Sequence, residues 1–358
     1  MSCTKIDILK GHTIYTTSPH FSPDSKRIVT GSVDYTVRIW DVCTKNKEKQ
    51  FDIQSVNRAP CFNHDGLQIA FVSNDSTWIY DVSSRKRLYS LKNHGYVNVC
   101  FDTQGKFHAV SFESDTIYVF DSTTNTWNEK SIDSNGITAI AVCPEKKQIA
   151  TTSKNGLVSF WDLRTGTKQN AIETQSAIIK DISYNHAGDL VITTSEDGII
   201  GIYELNKSEF TKVRAQNTAK SNVIVSHSKK EIITCDNNVI NVIDIKTGKI
   251  IRSFYGHTAK IYGLTLSNND EYLISVSHDS MIKIWDYVSG VCVQNFIDEQ
   301  NKYVSFSPDE KCFATTSYDY GIIKIWPFPP LQELIDQTRE RFKDRPLTVE
   351  ERRMYYLE

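Results

Sequence analysis

The strongest constraint on this chain is that it repeats itself. Hydrophobic runs end at Trp40, Tyr80, Phe120, Trp161, Tyr203, Ile243, Trp285 and Trp326, always 40 to 42 residues apart. An acidic residue follows seven of the eight (Asp41, Asp81, Asp121, Asp162, Glu204, Asp244 and Asp286), and Pro327 follows the last. A period of this length marks a supersecondary unit that cannot bury its apolar surface alone and must stack on its neighbours.

Each unit reads as short strands separated by turns. In the seventh, "IYGLTLS" leads through "NNDE" to "YLISVS", and "HDS" leads to "MIKIWDY". These runs alternate in polarity and are rich in β-branched and aromatic residues, which suit a pleated, half-buried surface. Turn sequences recur in register: "SPDS" at 22, "NHDG" at 63, "NHAG" at 185 and "SPDE" at 307. A small sheet with two apolar faces is stable when such sheets are arranged radially, as in a propeller.

The segments "GHTIYTTSPHFSPDSKRIVTGSVDYTVRIWD" and "GHTAKIYGLTLSNNDEYLISVSHDSMIKIWD" resemble WD40 repeats. The pattern covers roughly residues 5–328; it is sharp in the first and seventh units and degenerate in the second, third and sixth. The resemblance implies an all-β, closed WD40 β-propeller. Eight anchors predict eight blades, with seven as the alternative if one weak unit is absorbed elsewhere. The propeller domain is expected at 1–328. The lone strand "KIDILKG" precedes the first full unit, and the eighth ends on its third strand. Residues 5–10 are therefore expected to complete the last blade beside 322–327, which removes an exposed sheet edge.

In WD40 repeats a His, a Ser or Thr, an Asp and the Trp form a hydrogen-bonded chain. The resemblance implies that role for His12, Thr30, Asp34 and Trp40, and for His257, Ser275, Asp279 and Trp285. The hydroxyl lies four residues before the Asp in both, and the Trp six after it. The same residue types could serve a hydrolase, but a catalytic Ser needs exposure at a cleft and an oxyanion hole. One active site does not call for the same constellation in two units. Other units keep fragments, such as Thr151, Asn155 and Trp161, or Thr193, Asp197 and Tyr203. Trp326 lies one residue further from Thr315 and Asp319. Blades 2, 3 and 6 are expected to be the softer ones.

Propellers commonly dock partners on the face carrying these His and Asp turns. Candidate partner-binding residues there are Tyr35, Arg58, Lys180, Tyr262, His278, Lys302, Tyr318 and Tyr320, with the aromatic ones gathered on blades 7, 8 and 1. Tyr and Arg combine large contact area with a polar end and dominate interface hot spots.

Composition closes off other classes. With 41 Lys and Arg against 43 Asp and Glu, the chain lacks the basic surplus that broad nucleic-acid binding requires. No window approaches 18 uninterrupted apolar residues, and the start has no signal-peptide core, so no membrane span is expected and the protein is expected to be cytoplasmic. The eight Cys form no C-x-x-C pair and sit mostly in apolar strands, as reduced core thiols do. No nucleotide, zinc-protease or EF-hand motif is present in the sequence, so no cofactor or metal is expected.

Pro327, Pro329 and Pro330 break the pattern, and Leu331, Leu334, Ile335, Thr338 and Phe342 then fall on one helical stripe. Residues 329–358 are expected to form a helical C-terminal tail, with Thr348 and Glu351 as the capping box of a second short helix. The tail resembles the segment ending many bacterial WD40 signalling and defence proteins. It either packs back onto the propeller or docks a partner chain. These readings together predict a non-catalytic scaffold or sensor module that binds a protein or peptide. The alternatives are an enzyme using the central channel, and an RNA- or phosphopeptide-binding propeller using Arg58, Lys180 and Lys302.

Overall fold

A computed structural model describes residues 7–328 apart from 45–46, 53–58, 74–75, 93–95, 102–106, 114–115, 122–125, 132–135, 144, 175–177, 186–187, 207–208, 215–222, 229, 299–300 and 318–320. The expected tail, 329–358, lies outside the described residues, and those residues contain no helix.

The fold is an all-β propeller. Its described strands make eight four-stranded antiparallel sheets. In seven of them the strands follow one another in sequence. The eighth takes its outer strand from the start of the chain: Asp7–Leu9 runs against Ile323–Pro327, with Asp7 opposite Ile325, Ile8 opposite Lys324 and Leu9 opposite Ile323.

Backbone ladders stop at the edge of each sheet, so successive sheets are held together chiefly by side chains, beside isolated backbone bonds such as that from the Ile261 amide of the seventh sheet to the Asn237 carbonyl of the sixth at 2.7 Å. The period-two geometry of a strand makes this possible, because neighbouring residues serve opposite faces. In Met281–Asp286, for example, Ile282 and Ile284 pack with Val304, Phe313 and Trp326 of the eighth sheet. Trp285 of the same strand packs with Ile240, Val242 and Phe254 of the sixth. Eight buried clusters form in this way, each shared by two neighbouring sheets. The last joins chain end to chain start: Leu9, Ala314, Ile323 and Ile325 pack against Phe21, Ile28 and Trp40 of the first sheet.

The turns between the first and second strand of each unit add a second belt. Their fourth residue sits in the left-handed region, at Ser25, Gly66, Lys147, Gly188, Asp270 and Glu310 (φ 52° to 71°). Such a residue lets a short turn follow the right-handed twist of its flanking strands. The turns also touch one another across sheets. The Asp270 carboxylate accepts from the His227 and Ser228 amides, both at 2.8 Å. Asn268 Nδ2 donates to the Pro308 carbonyl at 3.1 Å, and the Asp309 amide donates to Ser25 Oγ at 3.0 Å. The last bond again bridges the eighth sheet and the first.

Leu9 is completely buried in the closing cluster. Truncating a core leucine costs about 2–5 kcal/mol through lost transfer energy and the cavity left behind. Leu9→Ala is therefore expected to lower the unfolding free energy by that amount, read as a lower denaturant midpoint. An unchanged midpoint would show that the first strand does not seal the ring.

Candidate docking site

In the seventh sheet Ile261 lies opposite Ser277, so the loop before the inner strand and the turn after the second strand share one end of the ring. His257 belongs to that loop and Asp279 to that turn. The antiparallel course of the strands, rather than sequence proximity, brings the two side chains together.

They form one continuous chain of hydrogen bonds. Trp285 Nε1 donates to Ser275 Oγ at 2.8 Å, Ser275 is 2.7 Å from His257 Nε2, and His257 Nδ1 is 2.8 Å from Asp279 Oδ2. Donor arithmetic assigns every proton. An indole can only donate, so the hydroxyl accepts from it and gives its own proton to Nε2. Nε2 is then bare, and Nδ1–H donates to the carboxylate. The Thr258 amide donates to Asp279 Oδ2 at 2.8 Å, and the Met281 amide to Oδ1 at 3.0 Å. The first sheet repeats the arrangement: Trp40 to Thr30 at 2.9 Å, Thr30 to His12 at 2.9 Å, and His12 to Asp34 at 2.9 Å. It adds Thr36, whose hydroxyl donates to Asp34 at 2.6 Å while accepting from Arg38 Nε at 3.1 Å.

Indole and hydroxyl occur together elsewhere too. Trp161 donates to Thr151 and Trp326 to Thr315, each at 2.9 Å. Where the anchor is Tyr80, Phe120 or Ile243, the residue ten places earlier is Ala70, Val110 or Ile233, each buried. Removing both partners of a buried hydrogen bond is close to neutral, whereas removing one strands the other. Only Tyr203, with Thr193, departs from the rule.

The electrostatics follow from this wiring. Burial lowers the His257 and His12 pKa values, and the hydrogen bonds they donate to their Asp partners only partly offset it. For Asp279 burial pulls upward, but the Thr258 amide and His257 outweigh it, and the carboxyl titrates below its ordinary value. Asp34 is lowered likewise, against burial, by Thr36 and His12. Ser275 is completely buried. These groups are committed to Trp285, and the hydroxyl is no nucleophile.

In the first and seventh sheets this end exposes aliphatic and aromatic side chains beside polar ones such as Thr13 and Lys260. Tyr35 is 57% exposed and holds φ 63°, a left-handed conformation that bulky side chains disfavour. Gly156, Gly198 and Ser280 occupy the matching place in other units. Ile14, Tyr15 and Val33 are exposed around it, tied together by the Val33 amide donating to the Tyr15 carbonyl at 3.0 Å. In the seventh sheet exposed Tyr262 meets exposed His278 edge to face, with ring centroids 5.8 Å apart. Lys302 is half-buried in the eighth sheet, and its ammonium lies 5.2 Å from the centre of the Tyr303 ring. Arg58, Tyr318 and Tyr320 lie outside the described residues, as does the side chain of Lys180. Ile14, Tyr15 and Val33 were missed by sequence reasoning, although apolar residues inside the loop "GHTIYTT" and the turn "SVDY" are a usable signal. The central cavity, of about 360 Å³, is lined by Ser18, Ser183, Thr194, Tyr303, Val304 and others, and Asp181 is the one carboxylate among them.

The family model described as "WD domain, G-beta repeat" matches residues 3–41, 126–162 and 248–286. The chain therefore carries WD40 repeats. Residues 3–41 and 248–286 contain its two complete polar chains, and 126–162 ends on Trp161. Among curated proteins it is similar to U3 small nucleolar RNA-associated protein 21 of Saccharomyces cerevisiae, 29% identical over 180 residues. That match covers 49% of this chain and 19% of the relative, so the chain spans about a fifth of that relative's length. It is also similar to the WD repeat domain-containing protein 83 homolog of Dictyostelium discoideum, 26% identical over 303 residues, covering 74% of this chain and 92% of the relative. Among solved structures, the computationally designed Ika8 protein superposes with a TM-score of 0.72 at 19% identity, covering 89% of this chain and 98% of that one, a likeness of fold.

Ser275→Ala strands a buried indole N–H and a buried imidazole nitrogen, which is expected to cost about 1–3 kcal/mol. The pH dependence has a definite sign. The folded histidines titrate below their ordinary 6.5, so the unfolded chain takes up protons first, and stability falls as the pH drops below about 6.5. The lowered Asp34 and Asp279 contribute stability above the ordinary 3.8 that is lost on further acidification. Denaturation midpoints between pH 8 and 4 check this, and H12N/H257N is expected to flatten the upper part of the profile.

Proposed function

We propose that this chain is a non-catalytic docking module whose eight sheets act as one closed ring of eight blades. It binds a protein or peptide through the end of the ring that carries the His and Asp turns of the seventh and first sheets. The observation that carries the reading is Tyr35, a large exposed side chain held in a disfavoured backbone conformation and surrounded by exposed Ile14, Tyr15 and Val33. Strain of this kind is retained where function uses the side chain. Aromatic anchors with aliphatic neighbours suit the apolar centre of an interface. The rigid polar chains beneath hold the turns in place, which lowers the ordering cost of binding.

The hydroxyl, imidazole and carboxylate groups that could suggest hydrolysis are bound to one another under the surface, which favours docking over catalysis. Protein docking is also compatible with the relatives named for association with U3 small nucleolar RNA, so an RNA-containing assembly is a fitting setting for the partner. The balanced composition is no argument against that, because a protein in such an assembly need not touch the RNA.

Tyr35→Ala and Tyr262→Ala are each expected to weaken partner capture tenfold or more, the scale of a hot spot, with the melting temperature kept. Tyr35→Gly separates the two roles, since glycine adopts φ 63° freely. It is expected to stabilise the fold by up to about 1 kcal/mol while weakening capture. Quantitative pull-down with mass spectrometry, beside thermal melts, makes the measurement. Unchanged capture by both alanine variants would refute the reading, and strongly salt-dependent RNA binding by the purified chain would replace it.

A further inference from the structure

The outer strand of the seventh sheet differs from the other seven. Lys47–Asp52, Arg87–Lys92, Thr126–Ser131, Lys168–Glu173 and Glu209–Arg214 each carry at least two charged residues. Ile250–Phe254 carries Arg252, and Asp7–Leu9 carries Asp7. Charges on an outer strand keep its free edge from pairing with other chains. Cys292–Ile297, sequence CVQNFI, carries none, and among the described residues it is the edge of its sheet. Two cations come near it, and both are engaged. Arg252 donates to the Val288 carbonyl at 3.0 Å, before the strand begins, and is held by Glu231 through two bonds of 3.0 Å. Lys283, opposite Asn295 on the neighbouring strand, lies 5.9 Å from the centre of the Trp285 ring.

One hydrogen bond sets the direction of every backbone group along this edge. The Asp298 amide donates to the Ser280 carbonyl at 2.8 Å. Inward-facing groups then recur at every second residue, at Phe296 opposite Ile282 and at Gln294 opposite Ile284. The amides and carbonyls of Asn295 and Ile297 therefore point out of the sheet. Val293 is the extra residue of the bulge between the Ile284 and Trp285 pairs, where the regular ladder ends. Side chains alternate as well. Val293, Asn295 and Ile297 are exposed, Ile297 at 80%, while Gln294 and Phe296 are half-buried. The exposed trio is aliphatic, amide, aliphatic, and it reads the same from either end.

We propose that Cys292–Ile297 pairs antiparallel with the same strand of a second copy of this chain, across a two-fold axis that passes through Asn295 perpendicular to the sheet. Such an axis keeps every side chain on its own face. Asn295 meets Asn295 of the second copy, and their outward amides and carbonyls exchange two hydrogen bonds. Val293 meets Ile297 of the second copy, and Ile297 meets its Val293, so aliphatic side chains flank the amide pair on both sides. An axis moved to lie between Asn295 and Phe296 would set exposed side chains against inward-facing ones. Two four-stranded sheets become one of eight strands. The contact is isologous, so it closes at two copies and does not grow into a fibre. This inference does not depend on the docking reading or on Tyr35.

The test uses the full chain. Sedimentation over about a hundredfold range of concentration is expected to show monomer passing to dimer, with no larger species. N295K sets two ammonium groups against each other on the axis and is expected to weaken the dimer about tenfold or more, as is N295E with two carboxylates. Because the axis places position 295 against itself, an equimolar mixture of the two variants is expected to recover the parent's association as a heterodimer. In the parent, amide exchange at Asn295 and Ile297 is expected to slow as the concentration rises, while Gln294 and Phe296, bonded within the sheet, keep their rates. If either variant fails to fold, exchange in the parent decides alone. A parent that stays monomeric, an N295K that dimerises like the parent, or a mixture of folded variants that recovers nothing overturns the proposal. So does dimerisation without slower exchange at Asn295 and Ile297, which assigns the contact to another surface.

Discussion

Everything in this fold depends on the packing between sheets. A four-stranded sheet with apolar residues on both faces satisfies its strand ladders internally, and the hydrogen bonds that cross to its neighbours leave those faces uncovered. It needs a second apolar surface on each side. Ile284 and Trp285, adjacent in sequence, serve the eighth sheet and the sixth respectively. Every unit is therefore both a client and a support, and the contact of Leu9 and Ile325 with Ile28 and Trp40 returns the last support to the first. The belt of turn contacts at the far end, with Asp309 bonded to Ser25, reinforces the same joint.

The polar chains are subordinate to that packing. A tryptophan fills the space between sheets well, but its N–H needs an acceptor once water is gone. Thr30, Thr151, Ser275 and Thr315 supply it. In the first and seventh sheets the hydroxyl is oriented in turn by His and Asp, and two surface turns are thereby fixed. Where the anchor is Ile243, the partner is Ile233 and no wiring is needed. The sixth sheet does keep Thr234 Oγ1 and Asp236 Oδ1 buried without a partner, a local cost that its apolar anchors do not remove.

Much of this was legible in the sequence, for identifiable reasons. The period and the alternation report on burial, which is set by side-chain type, so the strands and their anchors are visible without coordinates. The spacing of His12, Thr30, Asp34 and Trp40 is fixed by strand length and turn size, so the polar chain is visible too. The proposed docking face was read less completely. Choosing the residue at the start of each inner strand finds Tyr262 but passes over Ile14, Tyr15 and Val33, whose exposure depends on how the loop crosses the turn. Nothing local to "SVDYT" announces that Tyr35 takes a left-handed backbone.

The pairing of Asp7–Leu9 with Ile323–Pro327 also bears on how the molecule is made. Translation delivers Asp7–Leu9 more than three hundred residues before its partner strand, Ile323–Pro327. Until the ribosome has released residue 327, Leu9 has no cavity, Trp40 has an open flank and the growing arc has two bare ends. The nascent chain is thus an incomplete polymer of sheets whose exposed faces attract each other and their neighbours. Its dependence on chaperones should grow with arc length and vanish abruptly at closure.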